Sequence, residues 1–231
     1  MRQEIRAVAF DLDGTLYPNY SLNKKLIPFI LKELPFMTAF GRARSIIRKE
    51  QEISPVFPVD DFYQYQALII SKILRAPVKT VKDKIERLIY RGWEPFFKEI
   101  DLFPHAEQCL AALKNEGYKL GLLSDFPPET KLEYLGIGGN WDAVVCSECT
   151  GALKPHERPF MELASAMRVP LEEILYVGNS LRYDVAGAHR IGMKTAWIKS
   201  LIAIGRKKYP APDFIFNDYR QLHDYMLNYY Q

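Results

Sequence analysis

The stretch Val8-Ala9-Phe10-Asp11-Leu12-Asp13-Gly14-Thr15-Leu16-Tyr17 decides how this chain is read. A short apolar run, Ala7 to Phe10, stops at two aspartates spaced i, i+2, with Gly and Thr behind them. Apolar runs bounded by a Gly-containing turn read as buried strands. Two carboxylates at the mouth of such a strand raise each other's energy. A divalent cation removes that cost and holds one carboxylate ready as a nucleophile. A turn that merely caps the strand is the competing reading, and the rest of the chain has to decide between them.

Working outward, 231 residues with 48% hydrophobic and 26% charged side chains fit one large soluble domain, or a core with a sizeable insert. The net charge of +3 is too small to imply nucleic-acid binding. Its distribution is uneven: residues 17–100 carry 15 Lys and Arg against 9 Asp and Glu, and the remainder 16 against 19. A basic segment beside an acidic one suits a small anionic ligand, although solvated helix faces give the same pattern. No run of eighteen uncharged apolar residues is present, so no membrane span is expected. The N-terminus lacks a charged-then-apolar signal pattern, and three cysteines are an odd number. Both point to a reducing, cytoplasmic setting rather than a disulfide framework. Cys146-Ser147-Glu148-Cys149 is a lone pair without the second pair that zinc needs, and reads as ordinary strand-end thiols.

Further strand patterns fall at 119–124, 143–146, 174–177, 194–198 and 214–216. Helical patterns at 106–116, 159–167, 182–191 and 219–229 alternate with them, which predicts a parallel sheet with helices on both faces. Residues 18–102 break this rhythm. Four helical patterns, at 22–34, 40–53, 62–74 and 78–90, are punctuated by Pro35, Pro55, Pro58 and Pro77. The chain therefore reads as an α/β core, 1–17 and 103–231, interrupted by a helical insert, 18–102. Such an insert lies above the carboxyl ends of the strands, where open α/β sheets bind ligands.

Four strand ends carry polar residues suited to one site. The first has Asp11 and Asp13, and the second Ser124 and Asp125. Lys154 follows the third in Leu153-Lys154-Pro155, and the fourth runs Gly178-Asn179-Ser180-Leu181-Arg182-Tyr183-Asp184. With these motifs in this order, the chain resembles the haloacid dehalogenase-like hydrolase superfamily over residues 4–16 and about 103–217. The resemblance implies a Rossmann-like three-layer α/β/α core with a parallel sheet and an inserted α-helical cap. It also implies a magnesium-dependent phosphatase acting on a small phosphorylated metabolite through an aspartyl-phosphate, with neither nucleic acid nor membrane as partner. Asp11 would be the nucleophile and Asp13 the general acid and base. Lys154 would supply positive charge, and Thr15, Ser124 and Asp125 would face the phosphate. Mg2+ would lie among Asp11, the main-chain carbonyl of Asp13, Asn179 and Asp184.

Asn179 departs from the family pattern, which often has Asp there. A 2-haloacid dehalogenase, which needs neither metal nor second acid, is therefore one alternative. A phosphomutase and a silent phosphate- or partner-binding protein are others. Tyr17, Asn19, Arg42, Arg44, Tyr63, Tyr65 and Trp93 are candidate substrate contacts from the insert, its arginines toward an anionic group. His105, His156, His189 and His223 have no ligand spacing and receive no catalytic role.

Overall fold

Six strands, Ala7–Phe10 (β1), Lys119–Ser124 (β2), Ala143–Cys146 (β3), Ile174–Gly178 (β4), Lys194–Ile198 (β5) and Phe214–Phe216 (β6), carry the apolar runs. In the computed structural model, which describes residues 4–54, 56–199 and 209–228, they pair in parallel as β3-β2-β1-β4-β5-β6. Between β1 and β2 come Asn19–Lys32 (α1), Leu34–Glu50 (α2), Phe62–Leu74 (α3), Val78–Lys84 (α4), Glu94–Phe97 (α5) and Ala106–Asn115 (α6). The later helices are Glu129–Tyr134 (α7), Glu157–Met167 (α8), Ala186–Arg190 (α9) and Tyr219–Leu227 (α10).

The central strand β1 is buried on both faces, which is why it has no polar alternation. Val8 and Phe10 share one face with Leu120, Leu122, Leu175 and Val177, and are covered by Leu110 and Leu113 of α6 and Leu222 and Met226 of α10. Ala7 and Ala9 share the other face with Ile174 and Tyr176, covered by Phe160, Leu163 and Met167 of α8 and Ala188 of α9. The two small alanines leave room for Tyr176 and Phe160, whose rings meet edge to face with centroids 4.9 Å apart. Each large side chain buried in this way contributes roughly 1.5–3 kcal/mol. The result is the parallel sheet with helices on both faces that the alternation predicts, and the Rossmann-like α/β/α core that the resemblance implies. Among the described residues no helix is long and apolar enough to cross a membrane.

The helices differ from expectation where local chemistry overrides periodicity. Helix α2 starts at Leu34, because Pro35 occupies its first turn, where a missing N–H costs nothing. Pro28 lies inside α1. Past α4 the turns widen: Arg91 N donates to Glu86 O at 2.9 Å, an i→i+5 bond. The stretch before α9 widens in the same way, with Val185 N donating to Ser180 O at 3.1 Å. The short helices α5 and α7 are too brief for a periodic signal. Pro55 and Tyr229, at the edges of two expected segments, lie outside the described residues.

Phe36, Phe40, Ile70, Val81, Ile85 and Leu88 form an apolar cluster of their own within the segment between β1 and β2. Leu22 and Leu26 of α1 and Phe97 of α5 instead join the cluster on the sheet. Both ends of that segment are thereby pinned to the layer that carries the strand ends. Phe10 is in register with Leu122 and Val177, and Ser124 with Cys146. The carboxyl ends of β1 to β4 therefore open side by side, and their loops share one edge.

Candidate active site

Asp11 is placed by the sheet itself, since its N–H donates to Val177 O at 2.9 Å and extends the β1–β4 ladder. The chain then makes one tight turn, with Thr15 N and Leu16 N both donating to Leu12 O. That turn brings Thr15 Oγ1 to 2.7 Å from Asp11 Oδ2, to which it donates. Tyr219 Oη on α10 donates to Thr15 O at 2.6 Å and fixes the turn from below. Gly14 sits at φ +87°, and a Cβ there would lie 2.0 Å from Asn179 Nδ2 and 2.3 Å from Asn19 Nδ2. At that positive φ an L side chain is strained, and a Cβ would also push the two amides off the turn.

Lys154 arrives from the loop after β3 and lies fully inside. Its Nζ donates to Asp11 Oδ1 at 2.6 Å and to Asp184 Oδ1 at 2.7 Å. Tyr176 Oη and Leu123 O lie within 3.5 Å of it as well. Asp184 folds back over the end of β4, braced by a bond from Ser180 N to its Oδ2 at 2.9 Å. A Cβ on Gly178 would lie 2.3 Å from Asp184 Cβ, so that approach too requires glycine. Burial pushes the Asp11 carboxyl up to about 7; Lys154 opposes the rise, and Asp184 and Asp13 add to it. Burial alone would lower the Lys154 ammonium, but Asp11 and Asp184 hold it well above its usual range.

Asp13 is gripped by a residue that the periodic reading of the chain does not single out. Lys131 on α7 donates to both carboxylate oxygens, at 2.9 and 3.0 Å. Tyr17 Oη donates to Asp13 Oδ1 as well, which brings that candidate into the site. Lys131 sits in a six-residue helix seven positions after Ser124, where no pattern marks it. The Asp13 main-chain carbonyl accepts from Asn179 Nδ2 at 3.0 Å, and Trp197 Nε1 donates to Asn179 O at 2.9 Å to hold that backbone.

Ser124 is buried at the end of β2, its Oγ accepting from Phe126 N at 3.2 Å. Asp125, expected to face the phosphate, is drawn instead into ion pairs with the insert. Arg48 of α2 meets its Oδ2 at 2.5 Å and Arg44 meets it at 3.5 Å. Arg44 also pairs with Glu148 at 2.7 Å, and Tyr90 Oη donates to the other oxygen of Glu148 at 2.7 Å. These two arginines are engaged by the core. Tyr63 Oη donates to Lys82 O and Tyr65 Oη to Glu50, both within the insert. Arg42 is exposed. His156 caps α8, accepting from Arg158 N at Nδ1, and His223 pairs with Glu116. All three cysteines are free thiols.

Burial would raise Asp125, but Arg48 and Arg44, with Lys154, hold it down at about 2. A carboxylate depressed below its usual 3.8 contributes stability above that value and loses it as pH falls through the folded value. The stability advantage of the wild type over Asp125→Asn, measured by urea denaturation, is therefore expected to be constant above about pH 5. It should be lost progressively as pH falls through about 2.

The donors around Asp11 are hard oxygens: its own carboxylate, the Asp13 carbonyl, the Asn179 amide oxygen and the Asp184 carboxylate. Three carboxylates, Asp11, Asp13 and Asp184, face two ammonium groups, Lys131 and Lys154, leaving an excess of negative charge. Oxygen donors with uncompensated negative charge fit magnesium, which takes few carboxylates and keeps several waters. Among the described residues no three or more His, Cys, Asp or Glu side chains are grouped to hold a metal by themselves. An ion here would therefore draw on the carbonyl and the amide, and Asn179 would have to turn its oxygen toward it.

A family model for haloacid dehalogenase-like hydrolases matches residues 5–192. A glyceraldehyde 3-phosphate phosphatase of Pyrococcus furiosus is 29% identical over 208 residues, covering 85% of this chain and 82% of the relative. Among solved structures, a phosphatase of the same family from Thermococcus onnurineus superposes with a TM-score of 0.68 at 24% identity, over 97% of this chain and 98% of that one. An L-2-haloacid dehalogenase from Xanthobacter autotrophicus superposes almost as well, with a TM-score of 0.67 at 19% identity and coverage of 97% and 99%. At these identities the structures speak to the fold alone.

Proposed function

The chain belongs to the haloacid dehalogenase-like hydrolase family, and within it we propose a magnesium-dependent, cytoplasmic phosphatase that hydrolyses a small soluble phosphomonoester through an aspartyl-phosphate on Asp11. The observation that carries this reading is Asp13, a second carboxylate two residues past Asp11, held by Lys131 and Tyr17. Displacement of halide from carbon needs one carboxylate nucleophile and no acid for the leaving group. Expulsion of an alkoxide from phosphorus needs a proton donor. The phosphatase names of relatives such as the Pyrococcus enzyme support the same choice.

In the proposed reaction an Asp11 oxygen attacks phosphorus, forming a P–O bond to the enzyme as the bond to the leaving oxygen breaks. Asp13, which accepts from Lys131 and Tyr17 when the site is empty, would take up a proton as substrate binds and give it to that leaving oxygen. It then takes a proton from the water that attacks the phosphoryl group, and Asp11 departs as a carboxylate. Lys154 offsets negative charge near Asp11; the Ser124 hydroxyl would donate to a phosphoryl oxygen, and the Thr15 hydroxyl would do so on turning from Asp11. When bound among Asp11, the Asp13 carbonyl, Asn179 and Asp184, magnesium would neutralise phosphoryl charge. The segment between β1 and β2 acts as a cap over this edge.

Asp13→Asn is expected to lower kcat on phosphomonoesters by about 10²–10⁴-fold, the usual worth of a general acid and base. Phosphate release measured over a panel of esters tests it. Unchanged turnover in that variant would remove Asp13 as the general acid and base, and no phosphate release even by the wild type, with chloride released from 2-chloropropionate, would favour a dehalogenase instead.

A further inference from the structure

Lys154 owes its position to a helix from the other part of the molecule. The loop 151–156 that carries it lies outside the sheet and outside α8. Leu153 N donates to Gln51 Oε1 at 3.1 Å, and Gln51 Nε2 donates back to Leu153 O at 2.5 Å. The Gln51 amide thus holds both polar groups of Leu153, as a neighbouring strand would. One residue on, Arg48 Nε donates to Lys154 O at 3.0 Å. The same guanidinium bonds Asp125 at 2.5 Å and lies 4.4 Å from the centre of the Tyr183 ring, beside the Asp184 turn. Arg48 and Gln51 are three residues apart at the end of α2 and share a face. Gln51 and Leu153 are both buried, so water cannot replace these bonds at low cost.

We propose that Arg48 and Gln51 are positioning residues for Lys154, so that the lysine is set between Asp11 and Asp184 only while α2 is docked on the core. Neither residue touches the reacting atoms; both act through the Leu153–Lys154 backbone. The consequence for turnover rests on the phosphatase reading, whereas the consequence for Lys154 itself does not. Undocking α2 removes three bonds to the Leu153–Lys154 backbone, leaving the lysine held by its ammonium contacts and by the bond from His156 N to Leu153 O. Closure of the insert therefore completes the catalytic group as well as covering it.

The test compares Gln51→Leu and Arg48→Met with Tyr90→Phe, which removes a partly buried insert-to-core bond, to Glu148, without touching the lysine loop. Gln51→Glu is added because it keeps the acceptor for Leu153 N while losing the donor. Thermal melts establish that each variant is folded. Acetylation of Lys154 by acetic anhydride, followed by mass spectrometry, should quicken by about tenfold in Gln51→Leu and Arg48→Met relative to Tyr90→Phe. On p-nitrophenyl phosphate with magnesium, the same two variants should lose about 10–100-fold in kcat with KM nearly unchanged, and Gln51→Glu should recover part of the loss. Labelling that is no faster than in Tyr90→Phe overturns the proposal, as does a kcat loss matched by Tyr90→Phe. Faster labelling with no hydrolysis of p-nitrophenyl phosphate or of the ester panel, even in the wild type, would uphold the positioning role and defeat the phosphatase reading alone.

Discussion

Replacing Asp11 by Asn is expected to abolish phosphomonoester hydrolysis, by about 10⁴-fold or more, because the attacking carboxylate is gone. The fold should survive. The Asn Oδ1 can still accept from Lys154 at the place where Asp11 Oδ1 now lies 2.6 Å away. Thr15 Oγ1, which donates to the other oxygen at 2.7 Å, can turn and accept from an amide N–H. The residual rate and the urea midpoint together separate the two effects. A variant that is inactive because it is unfolded would not bear on the role of Asp11.

Lys154→Met should be costly in both respects. It leaves Asp11 and Asp184 buried without the cation that both now contact, at 2.6 and 2.7 Å. Removing one partner of a buried ion pair typically costs about 3–5 kcal/mol, because the remaining charge is uncompensated. The loss should appear in the urea midpoint, and adding Asp184→Asn should restore part of it by removing one of the stranded charges. Turnover should fall by about 10²–10³-fold from lost charge stabilisation. Unchanged stability would mean that Lys154 is not the shared partner of the two carboxylates.

The contrast between what could and could not be read from the chain is physical. All six strands and the parallel sheet were legible because apolar runs, turn residues and intervening helices leave a local record. The placement of Asp11, Thr15, Ser124, Lys154 and Asp184 around one edge follows from each standing just past a strand, together with the family resemblance. Local pattern gave less guidance where pairing is made across the chain. Lys131 meets Asp13 over a separation of 118 residues, from a helix too short to show a period. The Arg48 pairing with Asp125 spans 77 residues, so the basic character of the insert said nothing of where its charges end. Arg44 reads as a candidate for an anionic ligand, yet its partners are carboxylates of the core. Pro35 looked like a helix break and begins a helix instead, because proline is tolerated in a first turn.

The division of labour that emerges is between a sheet that sets Asp11 and a helical insert that helps to set Lys154. Asp11 is fixed by backbone pairing with β4 and by the turn at Gly14. Lys154 depends on α2 through the Gln51 and Arg48 bonds. Substrate binding that moves α2 would therefore act directly on the charge beside the nucleophile.

The most direct measurement is release of p-nitrophenol from p-nitrophenyl phosphate by the wild type and Asp11→Asn, each with magnesium and with chelator. Turnover by the wild type alone, and only with magnesium, is the expected result. Turnover that persists in Asp11→Asn, or that proceeds equally in chelator, would contradict a magnesium-assisted aspartyl-phosphate mechanism.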